Sequence, residues 1–430
     1  MSYRIKSALL STVAVFAIGA ASAQSPDLED RIAALEAMVA ELKAELAQER
    51  ADMDSAIVRL DQVEKEAADR PVVAREGFLV GDTTFKISGF VDADTHITSL
   101  SDGQIGSTSI ARDFYIPSAT PIGGDESTQT DLTAEATRLA VTAQREVAGN
   151  TLTGYIEMDF LGSGQGNELV SNSYSPRLRR AYIDYGAWRV GQEWSTFQNT
   201  SAIPESASFL VLSDGMVFVR QAQIRYTNGN FQFAIENPNT TSLNFGNQDE
   251  NLLPDLIARY NLSGDYGNVS FAAIGRQLRA DFGPTEEEVF GWGLSTAGRV
   301  NVGTGGDIRF NLTAGEGLGR YIGLAASRAT ALDPGGELEA IPSYGGLIAF
   351  RQPFGETARF NVGYSGLWID NPDYLGGGVN SSLQSAYGAI LWEPVERVTM
   401  GTELLYGVRE LESGADGSIT RFTFSTKYAF

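Results

Sequence analysis

The sequence predicts an all-β transmembrane barrel of about 16 antiparallel strands, preceded by a coiled-coil helix. Three observations predict it. Residues 85–430 alternate apolar and polar side chains in segments of roughly ten, longer than the usual soluble strand. The connections between those segments alternate in length. The last segment ends on an aromatic residue, Phe430, with Phe422, Phe424, Thr426 and Tyr428 on its face and Arg421, Thr423, Ser425 and Lys427 on the other.

The first element is a targeting segment, residues 1–23. Arg4 and Lys6 precede an apolar run from Ala8 to Ala20, and Ala21-Ser22-Ala23 supplies a small-residue cleavage site, so the mature chain is expected to begin at Gln24. The run is shorter than the roughly 20 residues a spanning helix needs, and no other stretch is long and apolar enough. A membrane protein of this sequence must therefore be a closed barrel, because lipid cannot satisfy an open sheet edge.

Residues 24–70 read as a coiled coil placed in the periplasm. Leu28, Ile32, Leu35, Val39, Leu42, Leu46, Glu49, Met53, Ala56, Leu60, Val63 and Ala67 keep a 4-3 spacing that Glu49 alone breaks with a charge. A single amphipathic helix lying on the barrel would show a wider stripe near period 3.6, whereas this one is narrow and holds 3.5, the signature of self-association. The period leaves two strands and three both open. Pro71 ends the helix, and residues 71–84 form a linker.

The barrel follows over residues 85–430. Strands are expected near 85–97, 136–146, 151–160, 178–186, 188–197, 217–227, 230–237, 254–263, 268–278, 289–302, 306–314, 343–352, 357–369, 381–393, 397–409 and 418–430. Ala148-Gly149-Asn150, Gly186-Ala187 and Asn228-Gly229 make tight turns, while 98–135, 161–177, 198–216 and 315–342 are long. Short periplasmic turns and long external loops produce this rhythm. Outward faces are legible in Phe360, Val362, Tyr364 and Trp368, and in Val398, Met400, Leu404 and Tyr406. A soluble sandwich or solenoid fits less well, because the strands are long and no repeat period exists.

Composition narrows the chemistry. The 430 residues contain no cysteine and one histidine, His96, so cysteine-ligated metals, multi-histidine sites and disulfides are excluded, and no cofactor is expected. A formal charge of −22 argues against nucleic acid as a partner. A barrel enzyme would need a base beside a nucleophile, yet His96 stands near Asp92 and Asp94 without a nucleophile elbow. The glycine-rich run at residues 162–166 lacks the lysine of a phosphate loop.

Function is therefore sought in the lumen, whose polar faces carry charges of both signs. Arg138, Arg180, Arg189, Arg225, Arg259, Arg309 and Arg359 fall in phase with polar neighbours, as do Glu157, Asp159, Asp184, Glu193 and Glu403. Such a wall sets a transverse field across a channel; the plainer reading is that each arginine is tied to a neighbouring carboxylate and braces the wall. In residues 198–216, the cluster Phe209, Leu210, Val211 and Leu212 is too apolar for a solvated loop. The expectation is that it folds into the barrel as a constriction loop after the fifth strand; the alternative is packing against a neighbouring subunit.

The motifs RLRRAYIDYG (177–186), VGQEWSTFQ (190–198), IPESASF (203–209), FVRQAQIRYT (218–227) and AIENPNTT (234–241) stand in this order behind the coiled coil. As a set they resemble the DcaP-like porins over the whole mature chain. The resemblance implies a homotrimer in the Gram-negative outer membrane, with lipid and lipopolysaccharide around it. Each barrel would carry a channel whose arginine-bearing constriction favours small organic anions such as aromatic dicarboxylates. By motif position Arg180, Arg220 and Arg225 carry over. Strict alternation, however, puts Arg220 on the lipid face with Ala222, Ile224 and Tyr226, at a cost of about 2–4 kcal/mol at midplane unless a loop end or bulge relieves it. The expected role is thus passive, charge-selective diffusion of small hydrophilic solutes. The alternative is a structural tether that grips the cell wall through the coiled coil, with transport secondary.

Overall fold

The computed structural model describes residues 77–162, 172–247, 251–281 and 286–430, together with Ala33, Glu36, Ala37, Val39, Ala40, Glu41, Lys43, Ala44, Ala47 and Gln48, which are helical. The targeting segment, the linker up to Glu76 and the rest of the coiled-coil seam lie outside the described residues.

Strand β1 (Phe78–Val80) is a short hairpin arm on β2 (Thr83–Leu100). The wall then runs through β3 (Ser127–Thr133), β4 (Arg138–Val147), β5 (Asn150–Asp159), β6 (Arg177–Tyr185), β7 (Trp188–Trp194), β8 (Arg220–Asn228) and β9 (Phe231–Glu236). It continues with β10 (Asp255–Gly264), β11 (Gly267–Asp281), β12 (Glu286–Val302) and β13 (Gly306–Glu316). A small hairpin, β14 (Thr330–Leu332) and β15 (Leu338–Ala340), interrupts it before β16 (Pro342–Phe354), β17 (Ala358–Ile369), β18 (Asn380–Val395), β19 (Val398–Leu411) and β20 (Asp416–Ala429). β3 and β4 share one wall position, both pairing with β2, so the described residues form 16 wall strands. All pair antiparallel with their neighbours, and β20 returns to β2. Phe430 closes the ring by exchanging backbone hydrogen bonds with Gly89 at 3.2 and 3.0 Å. Among the described residues the wall strands close into a ring with no wall edge left to lipid, as the absence of a hydrogen-bonding solvent there requires.

The expected strands are in place with shifted ends. The long first connection is not all loop, because residues 127–133 extend the wall as β3. β7 stops at Trp194 and β8 begins at Arg220, so the third long connection, L3, spans 195–219 rather than 198–216. At one end the turns hold two or three residues, and Gly186 with φ +58° and Gly229 with φ +57° supply the left-handed backbone such turns need.

Side chains alternate as a barrel in lipid requires. Val362, Tyr364, Leu404, Tyr406 and Phe422 are exposed on the outer face, and Asn361, Ser365, Glu403, Leu405, Arg421 and Thr423 beside them are buried. Two apolar clusters occupy the interior. One joins the first long connection (Ile105, Phe114, Tyr115) and L3 to Leu347, Leu391 and Leu405 of the wall. The other joins Phe197 and Val217 to Leu318, Tyr321 and Ile322, against Ile257, Ile274 and Leu367. The connection 317–341, read from sequence as external, therefore turns back inside, touching L3 through Gly323 N–H and the Met216 carbonyl at 3.1 Å.

Candidate channel lining

L3 lies flat on the inner wall because that wall is cut to fit it. Gly215 sits against bare backbone: a Cβ there would meet Gly346 N and O at 2.3 Å and Gly366 O at 2.5 Å. On either side polar groups tie the loop down. Glu403 on β19 accepts from Ala207 N–H at 2.9 Å and from the Ser208 hydroxyl at 2.6 Å. Asp214 accepts from Tyr115 Oη at 2.7 Å and from the Ser385 hydroxyl. Burial pushes the Asp214 carboxyl up to about 6, against the hydrogen bonds that stabilise its charge. Glu205 bridges Arg351 and Arg359 at 2.9 and 2.8 Å. Burial works against the Glu205 charge, and the two guanidiniums more than reverse it, leaving its pKa below the usual carboxylate value.

The four apolar residues expected to form the constriction divide in two. Leu210, Val211 and Leu212 are buried and anchor the loop. Phe209 stays partly open, its ring 4.9 Å from Phe114, 5.4 Å from the Arg179 guanidinium and 6.0 Å from that of Arg138. Arg138 also lies over Phe90 at 5.0 Å.

Opposite Phe209, β6 carries a bulge. The ladder with β5 pairs Glu157 with Arg180 and Met158 with Leu178, skipping Arg179, so two arginines stand against one glutamate and both turn inward. Glu157 accepts from Arg179 Nε at 2.8 Å and Arg180 Nη1 at 3.5 Å. Asp159 accepts from Arg177 at 2.9 Å and from Arg179 at 2.7 Å. Arg180 forks onto both oxygens of Glu193 at 2.6 Å, and Arg189 joins Glu193 to Asp184 at 2.7 Å. Arg180 and Arg189 lie over the ring of Tyr182, which stacks on Tyr155 at 5.1 Å.

The other arginines expected from sequence also face inward. Arg225 donates to Thr196 Oγ1 at 2.8 Å and the Trp194 carbonyl at 2.6 Å. Arg259 donates to Asn261 at 2.7 Å and to the Gln198 carbonyl. Arg309 joins Asp307 at 2.8 Å and the Ile203 carbonyl at 2.6 Å, and Arg359 reaches Glu205 and Glu393. Arg220 escapes the lipid face that alternation assigned to it. It is the first residue of β8, where the chain leaves the in-folded loop, and its guanidinium stacks 4.8 Å over Trp194. Among the described residues no carboxylate pairs with it within salt-bridge range.

Three lumen residues escaped sequence reasoning for different causes. Arg177 and Arg179 lie inward through the bulge, which alternation does not reveal. Arg351 shares a phase with other inward residues of β16, and that pattern would have found it. His96 is buried on the inner wall beside Thr423, its Nδ1 3.0 Å from the Thr423 hydroxyl.

With this geometry in view, the comparisons with known proteins fall into place. A comparison with curated protein sequences gave no match. Among solved structures, the chain is similar to the outer membrane channel DcaP of Acinetobacter baumannii, with 21% identity, a TM-score of 0.69, and coverage of 82% of this chain and 99% of that one. It is also similar to an anion-selective porin from Comamonas acidovorans (11% identity, TM-score 0.51, 81% and 100% covered) and to Salmonella typhi OmpF in complex with daunomycin (9%, 0.52, 81% and 98%). The family model for the DcaP outer membrane protein matches residues 14–329, most of the chain. A closed barrel of porin fold with its third long loop laid inside thus belongs, by that match, to the DcaP outer membrane protein family.

Proposed function

We propose that the protein is a charge-selective porin that favours small organic anions such as dicarboxylates. One observation carries the reading: on the wall from β5 to β7, three ion pairs show their cation to water and hide their anion. Arg180 is 22% exposed over a Glu193 that is 2% exposed, Arg177 is 28% exposed over an Asp159 at 0%, and Arg189 is 26% exposed over the same Glu193. The lumen field is set by the charges nearest the water, so a chain of net charge −22 still presents a cationic passage. Arg220, which no described carboxylate pairs, and the carbonyl-bound Arg225 and Arg259 add to that sign. The ring faces of Phe209, Tyr155 and Tyr182 hold the guanidiniums of Arg179 and Arg180 in place along that passage.

The protein is a homotrimer held by its periplasmic coiled coil, after removal of residues 1–23. The 4-3 seam and the family resemblance support that assembly. Uptake by proteoliposomes tests the function: a small dicarboxylate should enter faster than a diamine of equal size, and equal or reversed rates contradict the proposed selectivity.

A further inference from the structure

We propose that Gln192, on the outer face of β7, is a positioning residue for the lumen charge: it holds the β6 bulge that turns Arg179 and Arg180 inward together. The inference rests on the anion-selective reading for its functional consequence, and on geometry alone for the bulge.

Gln192 stands two residues from Val190 and four from Trp188, which are 48% and 53% exposed on the outer face. An amide in that apolar row needs a reason. The β6–β7 ladder runs from Tyr185 opposite Trp188 to Ala181 opposite Gln192 and stops there. Above that point the bulge leaves carbonyls of β6 without ladder partners on a surface that offers no water. The Gln192 amide donates to two of them, Arg179 O at 2.9 Å and Leu178 O at 3.3 Å.

Removing that donor strands two carbonyls against lipid and biases β6 toward the regular strand. Counting upward from Tyr182, regular alternation keeps Arg180 inward, turns Arg179 and Arg177 outward and brings Leu178 into the lumen. Leu178 is 53% exposed on the outer face in the bulged strand, so its position reports the register.

The chain has no cysteine, which makes Leu178→Cys a clean reporter. With native Gln192, Cys at 178 should resist a charged, membrane-impermeant thiol reagent; with Gln192→Leu, labelling should rise by about tenfold or more as the thiol meets water. In bilayers, Gln192→Leu without the cysteine should cut the chloride-to-potassium permeability ratio about twofold while conductance persists. Unchanged labelling and an unchanged ratio would overturn the proposal. Should the leucine variant not insert, Gln192→Asn keeps the amide but falls a methylene short of both carbonyls, and the same two outcomes decide. A wild-type channel without anion preference would sink the selectivity reading alone, since labelling still reports the bulge.

Discussion

The two halves of the barrel wall use the same alternating strands to opposite ends. Over β4–β7 the inward residues are charged groups and tyrosines, with Arg177, Arg180 and Arg189 meeting water. Over β16–β20, beside Arg351 and Arg359, they include Ser365, Ser385, Leu391, Glu403 and Leu405, all buried, and Ser365 and Glu403 hydrogen-bond L3. A carboxylate on the first half is a foundation that holds up an exposed guanidinium, as Glu157 and Asp159 do for Arg177 and Arg180. A carboxylate on the second half, such as Glu403, is a clamp for loop backbone. The sign of an inward charge therefore does not tell its role; whether the loop covers it does.

That contrast can be broken from either side. The largest effect is expected at Arg179, 2% exposed between Glu157 and Asp159. Arg179→Ala leaves two buried carboxylates short of a partner, a loss of about 3–5 kcal/mol, read as a lower denaturant midpoint of the detergent-solubilised barrel, with the anion preference weakened alongside. Gly215→Val acts on the other half. The added atoms would meet backbone that cannot yield, so L3 should leave the wall and single-channel conductance should rise about twofold. Retained conductance would mean that the loop does not narrow the passage.

A smaller loss is expected for Glu403→Ala, which strips acceptors from Ala207 and Ser208 at about 1–3 kcal/mol. Protease cutting within L3 would measure it, with Arg180→Ala as a control that leaves the loop seated. The smallest effect is the pH response. Asp214 titrates near 3.8 when unfolded and near 6 in the seated loop, so the seated state holds the extra proton between those values. Seating is then strongest below pH 4, weakens as pH rises to 6 and is level above. Asp214→Asn should flatten that slope in a proteolysis series.

Much of the architecture was legible in the sequence, because a barrel strand writes its environment into alternate residues. The run from Arg421 to Phe430 shows both faces, and the inward arginines on β4, β8, β10, β13 and β17 followed from phase. What escaped depends on contacts between distant parts of the chain. Nothing local says that Glu403 clasps Ser208, 195 residues away. The β6 bulge escaped because one extra residue shifts the phase only above it, so RLRR reads as alternation when two neighbours face the same way. The in-folding of 317–341 had a visible signal: Leu318, Tyr321 and Ile322 are as out of place in a solvated loop as Phe209 to Leu212. Arg220 shows the reverse case, where phase misled because a strand's first residue answers to the loop before it.

The central claim is that exposed guanidiniums over hidden carboxylates set the sign of the passage. The zero-current potential of the wild-type channel in a potassium chloride gradient tests it most directly. A potential on the chloride side that falls toward zero in Arg177→Ala and Arg180→Ala variants is the predicted result, and a potassium-side potential in the wild type would contradict it.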